Sequence, residues 1–154
     1  MRTLSILMLM TGALMAADNP AKEDSSKSDL DKLRGTWVSV SLVNDGKTIQ
    51  DEKTPPKEGP VTKVAYEGTK WMIKVGDKTV FTGIFKIDSS KKPKEIDFME
   101  ESDTKGEKTK LGIYEIDGDT LRFCLAPAGK PRPTEFTSKA GSGYSLGVMK
   151  REKP

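Results

Sequence analysis

Short runs of alternating apolar and polar residues, separated by tight-turn residues, are the feature that most constrains this chain. Trp71, Ile73 and Val75, for example, share one face of such a run. A period of two indicates half-buried β-strands. Turn residues at 44–46 and 117–118 join successive runs and leave no room for crossover helices, so neighbouring strands are antiparallel. The sequence predicts an all-β, antiparallel up-and-down meander of about eight strands that closes into a barrel.

The first residues of the chain follow a different pattern. Residues 1–17 contain a positive charge at Arg2, an apolar run and a small pair, Ala16 and Ala17, which is the layout of a secretory signal peptide. The apolar run is shorter than the roughly 20 residues that span a bilayer. We therefore predict cleavage after Ala16 or Ala17, a secreted or periplasmic protein, and no stable membrane insertion of the mature chain. An uncleaved N-terminal anchor is the alternative.

The segment that follows is polar and without periodicity. Residues 18–28 are predicted to be a flexible leader. Leu30 and Leu33 lie three residues apart and predict a single helical turn over residues 29–33. The barrel domain is then expected to cover residues 29–154.

Composition removes several kinds of chemistry. The chain has no His and a single Cys, so it lacks the commonest general base and metal ligand and cannot form an internal disulfide. Residues 143–147 match the G-x-S-x-G pattern of hydrolases, but Ser145 has no His partner. Asp117 and Asp119 flank a glycine and raise the alternative of a calcium site, although Asp-Gly is also ordinary turn chemistry. We expect no catalytic residues, no metal and no cofactor.

The balance of positive and negative side chains indicates which classes of partner the chain could bind. The full chain carries 26 Lys+Arg against 23 Asp+Glu, and removal of Arg2 with the signal peptide brings it nearer neutrality. Such a balance does not favour a nucleic-acid or membrane-surface role. Cys124 is expected to be structural, with an oxidation-sensitive or dimer-forming thiol as the alternative.

A resemblance is carried by several motifs spread over the domain. Gly35-Thr36-Trp37 follows a helical turn and resembles the G-x-W start of lipocalins. LRGTW, PKEIDF, LGIYEIDGDTLRFCLAP, GKPRPTEFTSKAGSG and VMKRE together resemble a lipocalin-like domain family of unknown function that is abundant in planctomycete bacteria and often secreted. The resemblance implies a lipocalin-like barrel whose end is closed by Gly35, Trp37 and a basic residue over the Trp ring, Arg151 or Lys150. It supplies no established activity.

The inner face of the barrel holds the candidate ligand-binding residues. An eight-stranded barrel is either filled by side chains or holds one small ligand. Small residues at Ser39, Ser41, Gly83 and Gly112 are expected to leave room for a cavity. The candidate ligand-binding residues are Trp37, Ser39, Trp71, Ile73, Phe81, Phe85, Phe98 and Phe123.

Two functions follow from this prediction. The first is non-catalytic binding of a small apolar or amphipathic ligand inside the barrel. The alternative is an interaction module whose filled barrel supports loops, at residues 50–60 and 127–133, that bind another protein or a component of the cell envelope.

Overall fold

The structure, a computed structural model, describes residues 20–53, 61–103 and 105–154. The predicted signal peptide, residues 1–17, lies outside the described residues. One helix and nine strands follow in chain order: α1 (Pro20–Leu33), β1 (Gly35–Asn44), β2 (Lys47–Gln50), β3 (Thr62–Glu67), β4 (Lys70–Val75), β5 (Lys78–Asp88), β6 (Lys94–Glu100), β7 (Lys110–Asp117), β8 (Thr120–Leu125) and β9 (Ser145–Arg151).

The strands form a closed antiparallel barrel, as the alternation predicts. From β3 to β9 each strand pairs with the next, β1 pairs with β3, and β9 returns to pair with β1, which closes a ring of eight strands. The ninth strand, β2, pairs with the second half of β1. Asp45 and Gly46 join β1 to β2 with positive φ angles of 50° and 77°, as a two-residue type I′ turn requires. The all-β meander and its closure are therefore confirmed.

The helix lies at one end of this barrel. Gly35, which follows α1 closely, pairs with Tyr66 of β3, and Tyr66 pairs with Trp71 of β4. We call this the helix end. The opposite end, where β6 ends at Glu100 and β7 begins at Lys110, is called the open end.

The helix is longer than predicted. It has 14 residues and starts at Pro20, so residues 20–28, predicted as a flexible leader, are helical. Pro is favoured at the first position of a helix. The Ser89 hydroxyl donates to Ser25 Oγ at 2.9 Å, and the Ser26 hydroxyl lies 3.2 Å from Ser89 Oγ, so the polar helix is attached to the barrel by hydrogen bonds. Apolar periodicity could not detect this, because most of these helical residues are polar.

A buried carboxylate joins the helix to the barrel. Asp29 is only 2% exposed. Tyr114 Oη donates to its Oδ2 at 2.8 Å, Lys94 Nζ donates to the same oxygen at 2.6 Å, and Lys32 Nζ donates to Oδ1 at 3.2 Å. Burial raises the pKa of Asp29, but these hydrogen bonds outweigh burial and hold the pKa below its ordinary value. Asp29 is therefore an ionised anchor in the folded state.

A second apolar cluster lies outside the barrel wall. Ile113, Cys124 and Ala126 are buried, and the Cys124 thiol donates to the Thr137 carbonyl at 3.3 Å. Residues 126–144 therefore run across the outer face of β7 and β8. Residues 134–138 are irregular, because this segment packs through side chains and is not part of a β-ladder.

We predict that Asp29→Asn lowers the free energy of unfolding by about 2 kcal/mol at pH 7, because it removes hydrogen bonds to a charged acceptor. The folded-state pKa lies below 3.8, the ordinary value. This stabilisation is therefore complete above pH 3.8 and is lost as the pH falls through the folded-state pKa of Asp29. Urea unfolding of both proteins between pH 7 and pH 3 measures the difference.

The matched control is Asp31→Asn, since Asp31 is exposed and forms a long ion pair of 3.4 Å with Arg34. It should change stability by less than about 0.5 kcal/mol. An Asp29→Asn effect that does not shrink in acid would contradict the role of the ionised carboxylate.

Candidate functional site

The helix end of the barrel is sealed by Trp37. Its side chain is fully buried, and its indole nitrogen donates to the Leu33 carbonyl at 2.7 Å. The Arg151 guanidinium carbon lies 4.3 Å from the ring centroid, which is a cation–π contact. The structure thus places Arg151 over the Trp37 ring, in the arrangement that the resemblance implies.

Arg151 also binds the end of the helix. Its Nη2 donates to the Lys32 carbonyl at 2.6 Å and its Nη1 to the Arg34 carbonyl at 2.8 Å. These are carbonyls at a helix C-terminus, which lack partners within the helix and favour a nearby cation. Gly35 has a φ of +114°, and a Cβ there would lie 3.4 Å from Arg151 Nη1. Glycine therefore lets the chain turn from α1 into β1 directly beside the guanidinium.

A cavity of about 110 Å³ lies within the barrel; we call it the barrel pocket. Three of its lining residues are aromatic: Tyr66, Trp71 and Phe98. The rings of Trp71 and Phe98 meet edge to face with centroids 5.6 Å apart, and those of Tyr66 and Phe98 lie 6.4 Å apart. Such pairs hold the rings in fixed positions.

The rest of the pocket wall is aliphatic or aromatic, and its rim is charged. The wall consists of Val64, Ile73, Phe123, Leu125 and Met149. The rim, at the open end, consists of Glu100, Lys108 and Lys110. Lys110 Nζ is 3.7 Å from Glu100 Oε1, whereas the exposed Lys108 ammonium forms no ion pair with a described residue. The pocket is therefore apolar inside, and two ammonium groups and one carboxylate line its mouth.

The structure brings together half of the predicted ligand-binding residues. Trp71, Ile73, Phe98 and Phe123 line the barrel pocket. Trp37 and Phe85 are fully buried in the core and do not line it.

Two predicted residues lie away from the pocket. The Ser39 hydroxyl donates to Gln50 Oε1 at 2.9 Å, beside β2. Phe81 is 50% exposed, next to a β-bulge opposite Ile73. Alternation along the strand did not predict these positions. The bulge changes the surroundings of Phe81, and the extra strand β2 changes those of Ser39.

The predicted glycines make room for large neighbouring side chains. Gly83 and Gly112 do not leave empty space, because large neighbours fill it. A Cβ on Gly83 would lie 2.7 Å from Trp71 Nε1, and one on Gly112 would overlap the Leu125 side chain. Trp71 Nε1 also donates to the Ile84 carbonyl at 3.1 Å, which fixes the indole over Gly83. These glycines therefore admit the side chains that line the pocket.

Sequence reasoning missed Tyr66, Met149 and the two rim lysines. Val64 and Tyr66 alternate along β3, so their shared face could have been found from the same period of two. Lys108 lies in the loop between β6 and β7, and its position at the rim depends on barrel closure.

The motifs that suggested catalysis or metal binding have structural partners. Ser145 lies within β9, where its hydroxyl donates to Asn44 Oδ1 at 3.1 Å, so it is not on the strand-to-helix turn of a hydrolase. Asp119 contacts Arg151 and Lys153. Within the described ranges, no group of three or more metal-ligating side chains occurs. Burial raises the pKa of the Cys124 thiol, which keeps it in the less reactive form.

Trp37→Ala is expected to lower the free energy of unfolding by about 3–5 kcal/mol, because it empties the sealed end of the barrel. Chemical denaturation monitored by far-ultraviolet circular dichroism measures this. Val38→Ala, a change to the neighbouring half-buried residue of the same strand, is the control. A loss below about 1 kcal/mol for Trp37→Ala would show that the ring does not carry the closure.

Comparison with protein-family models, curated proteins and solved structures returns no match. In the part of the chain that the structure describes, no helix has the length and apolar character needed to cross a membrane.

Proposed function

We propose that this protein is a non-catalytic, lipocalin-like binding protein that takes a small apolar or amphipathic molecule into the barrel pocket. One observation carries the proposal: a barrel sealed at its helix end holds an apolar cavity of about 110 Å³ that opens at a charged rim. Concave apolar sites with a few polar groups are typical ligand sites. Burial of ligand surface supplies the affinity, at about 25 cal/mol per Å² of apolar area removed from water.

The size of the cavity limits the buried part of the ligand. An apolar cavity of about 150 Å³ holds benzene in another protein. The barrel pocket therefore fits a group of about one ring or a short branched chain. A longer molecule extends past Lys108 and Lys110, where an anionic group would meet the positive charge of the rim.

The titratable groups around the pocket support binding without catalysis. Burial raises the pKa of Tyr66 well above its ordinary value, so its phenol stays protonated and is a poor base. Glu100 stands at the rim beside Lys110. Tyr66 therefore does not supply the general base that acid–base catalysis needs at neutral pH.

Val64→Phe should block the pocket. The added ring fills existing space, so we expect toluene and hexanoic acid to bind at least about tenfold more weakly, equivalent to about 1.4 kcal/mol, with stability near that of the wild type. Val80→Phe is the matched control, since Val80 is 45% exposed and does not line the pocket. Titration followed by amide chemical shifts measures both. Equal binding by the two variants would contradict a site in the barrel.

A second candidate function, an interaction module, is favoured by the anchoring of the loop at residues 127–133. Arg132 Nη1 donates to Asp97 Oδ1 at 2.5 Å and to the Gly112 carbonyl at 2.7 Å. Tyr144 Oη donates to the Pro131 carbonyl at 3.2 Å. A loop held in one shape presents a preorganised surface to a protein or cell-envelope partner. Native mass spectrometry of the protein from its own source separates the functions, since only ligand binding predicts a small occupant lost on denaturation.

We also propose that the protein acts outside the cytoplasm, as a secreted or periplasmic protein. The charged start, apolar run and small pair of residues 1–17 support this. The mature protein from its source cells should begin at Ala17 or Asp18, as measured by intact mass and N-terminal sequencing. A cytosolic chain that retains residues 1–17 would contradict the proposal.

A further inference from the structure

One polar group on the aromatic side of the barrel pocket has no partner. Tyr66 is 5% exposed. Its ring contacts Phe85 edge to face at 5.2 Å and Phe98 at 6.4 Å, and its hydroxyl forms no hydrogen bond with any residue that the structure describes. Buried hydroxyl groups are nearly always hydrogen-bonded. A hydroxyl on so buried a side chain therefore calls for a partner other than the described residues.

Tyr66 lines the barrel pocket, and its hydroxyl keeps some accessible surface. Among the described residues, no side-chain nitrogen or oxygen is both sealed from accessible space and without a partner. The unpartnered Tyr66 hydroxyl must therefore touch accessible space, and the cavity that Tyr66 lines is the barrel pocket. The neighbouring indole nitrogen of Trp71 is already occupied by the Ile84 carbonyl. Tyr66 thus offers the unused hydrogen-bond donor on this side.

The protonation state of the Tyr66 phenol determines which kind of acceptor it can bind. Burial raises the pKa of Tyr66, so the phenol is neutral and carries its proton. A carboxylate placed there would lose its hydration and gain one neutral donor, which does not compensate a buried charge. The ammonium groups that line the pocket, those of Lys108 and Lys110, belong to the rim. An uncharged oxygen is the acceptor that fits.

We propose that the Tyr66 hydroxyl donates a hydrogen bond to an uncharged acceptor oxygen at the buried end of the ligand, and so selects small ring-sized carbonyl compounds over hydrocarbons of the same shape. This inference rests on the proposed binding function and names its ligand class. Without such an acceptor, an apolar ligand would leave the hydroxyl buried and unpaired, which costs free energy.

The test compares acetophenone with α-methylstyrene, which has nearly the same shape but a CH₂ group in place of the carbonyl oxygen. Dissociation constants are measured for both probes with the wild type and with Tyr66→Phe. The selectivity for acetophenone should fall by roughly threefold to tenfold in Tyr66→Phe, as expected for one neutral hydrogen bond. Selectivity is the ratio of the two dissociation constants. Comparing this ratio between the wild type and Tyr66→Phe cancels the different hydration of the two probes.

A spectroscopic measurement checks the contact itself. The carbonyl stretch of bound acetophenone should lie at lower frequency in the wild type than in Tyr66→Phe, because hydrogen bonding weakens the C=O bond. Tyr144→Phe is the matched control: its hydroxyl contacts the Pro131 carbonyl away from the pocket. This variant should keep both the selectivity and the frequency of the wild type.

The outcomes separate the two proposals. If both probes bind and neither the selectivity nor the carbonyl frequency changes in Tyr66→Phe, the role of Tyr66 is overturned while binding in the barrel stands. If the wild type binds neither probe, the proposed binding function is itself overturned. Loss of selectivity together with a frequency shift supports the inference.

Discussion

The pairing of β1 with β9 is the contact on which the rest of the structure depends. It joins the two ends of the meander from Trp37 and Arg151 to Asn44 and Ser145, and without it the sheet would have two free edges and no enclosed interior. The same pairing brings Arg151 over the Trp37 ring and within reach of the last carbonyls of α1. Sheet closure, the sealed end and the position of the helix are therefore consequences of one register.

The cavity exists because aromatic packing in this barrel is uneven along its axis. Trp37 and Phe85 are fully buried in the core, while Trp71 lies against Gly83 and Phe123 against Gly147. A glycine within a strand is usually a weakness, since it lacks a side chain to pack. Here it lets a neighbouring ring approach the backbone closely, and Trp71 and Phe123 line the pocket.

Local sequence patterns made the fold predictable. The burial of individual side chains and the contacts between residues distant in sequence could not be predicted from them. Alternation and turn residues fixed the strands and their antiparallel order, since both act within a few residues. They also identified the inward face, but Phe85 and Phe81 share that face although one is fully buried and the other half exposed. The helical state of residues 20–28 depends on Ser89, and the anchoring of Asp29 on Tyr114 and Lys94. No window of the sequence contains these partners together.

The segment at residues 126–144 makes the barrel wall double on one side and single on the other. Behind β7 and β8 lies a second apolar layer that buries Ile113 and Cys124, whereas Val80 and Ile84 on β5 are about half exposed. Regions with few buried contacts open at lower free energy than packed ones. The β5 side of the barrel is therefore expected to open at lower free energy than the side covered by residues 126–144.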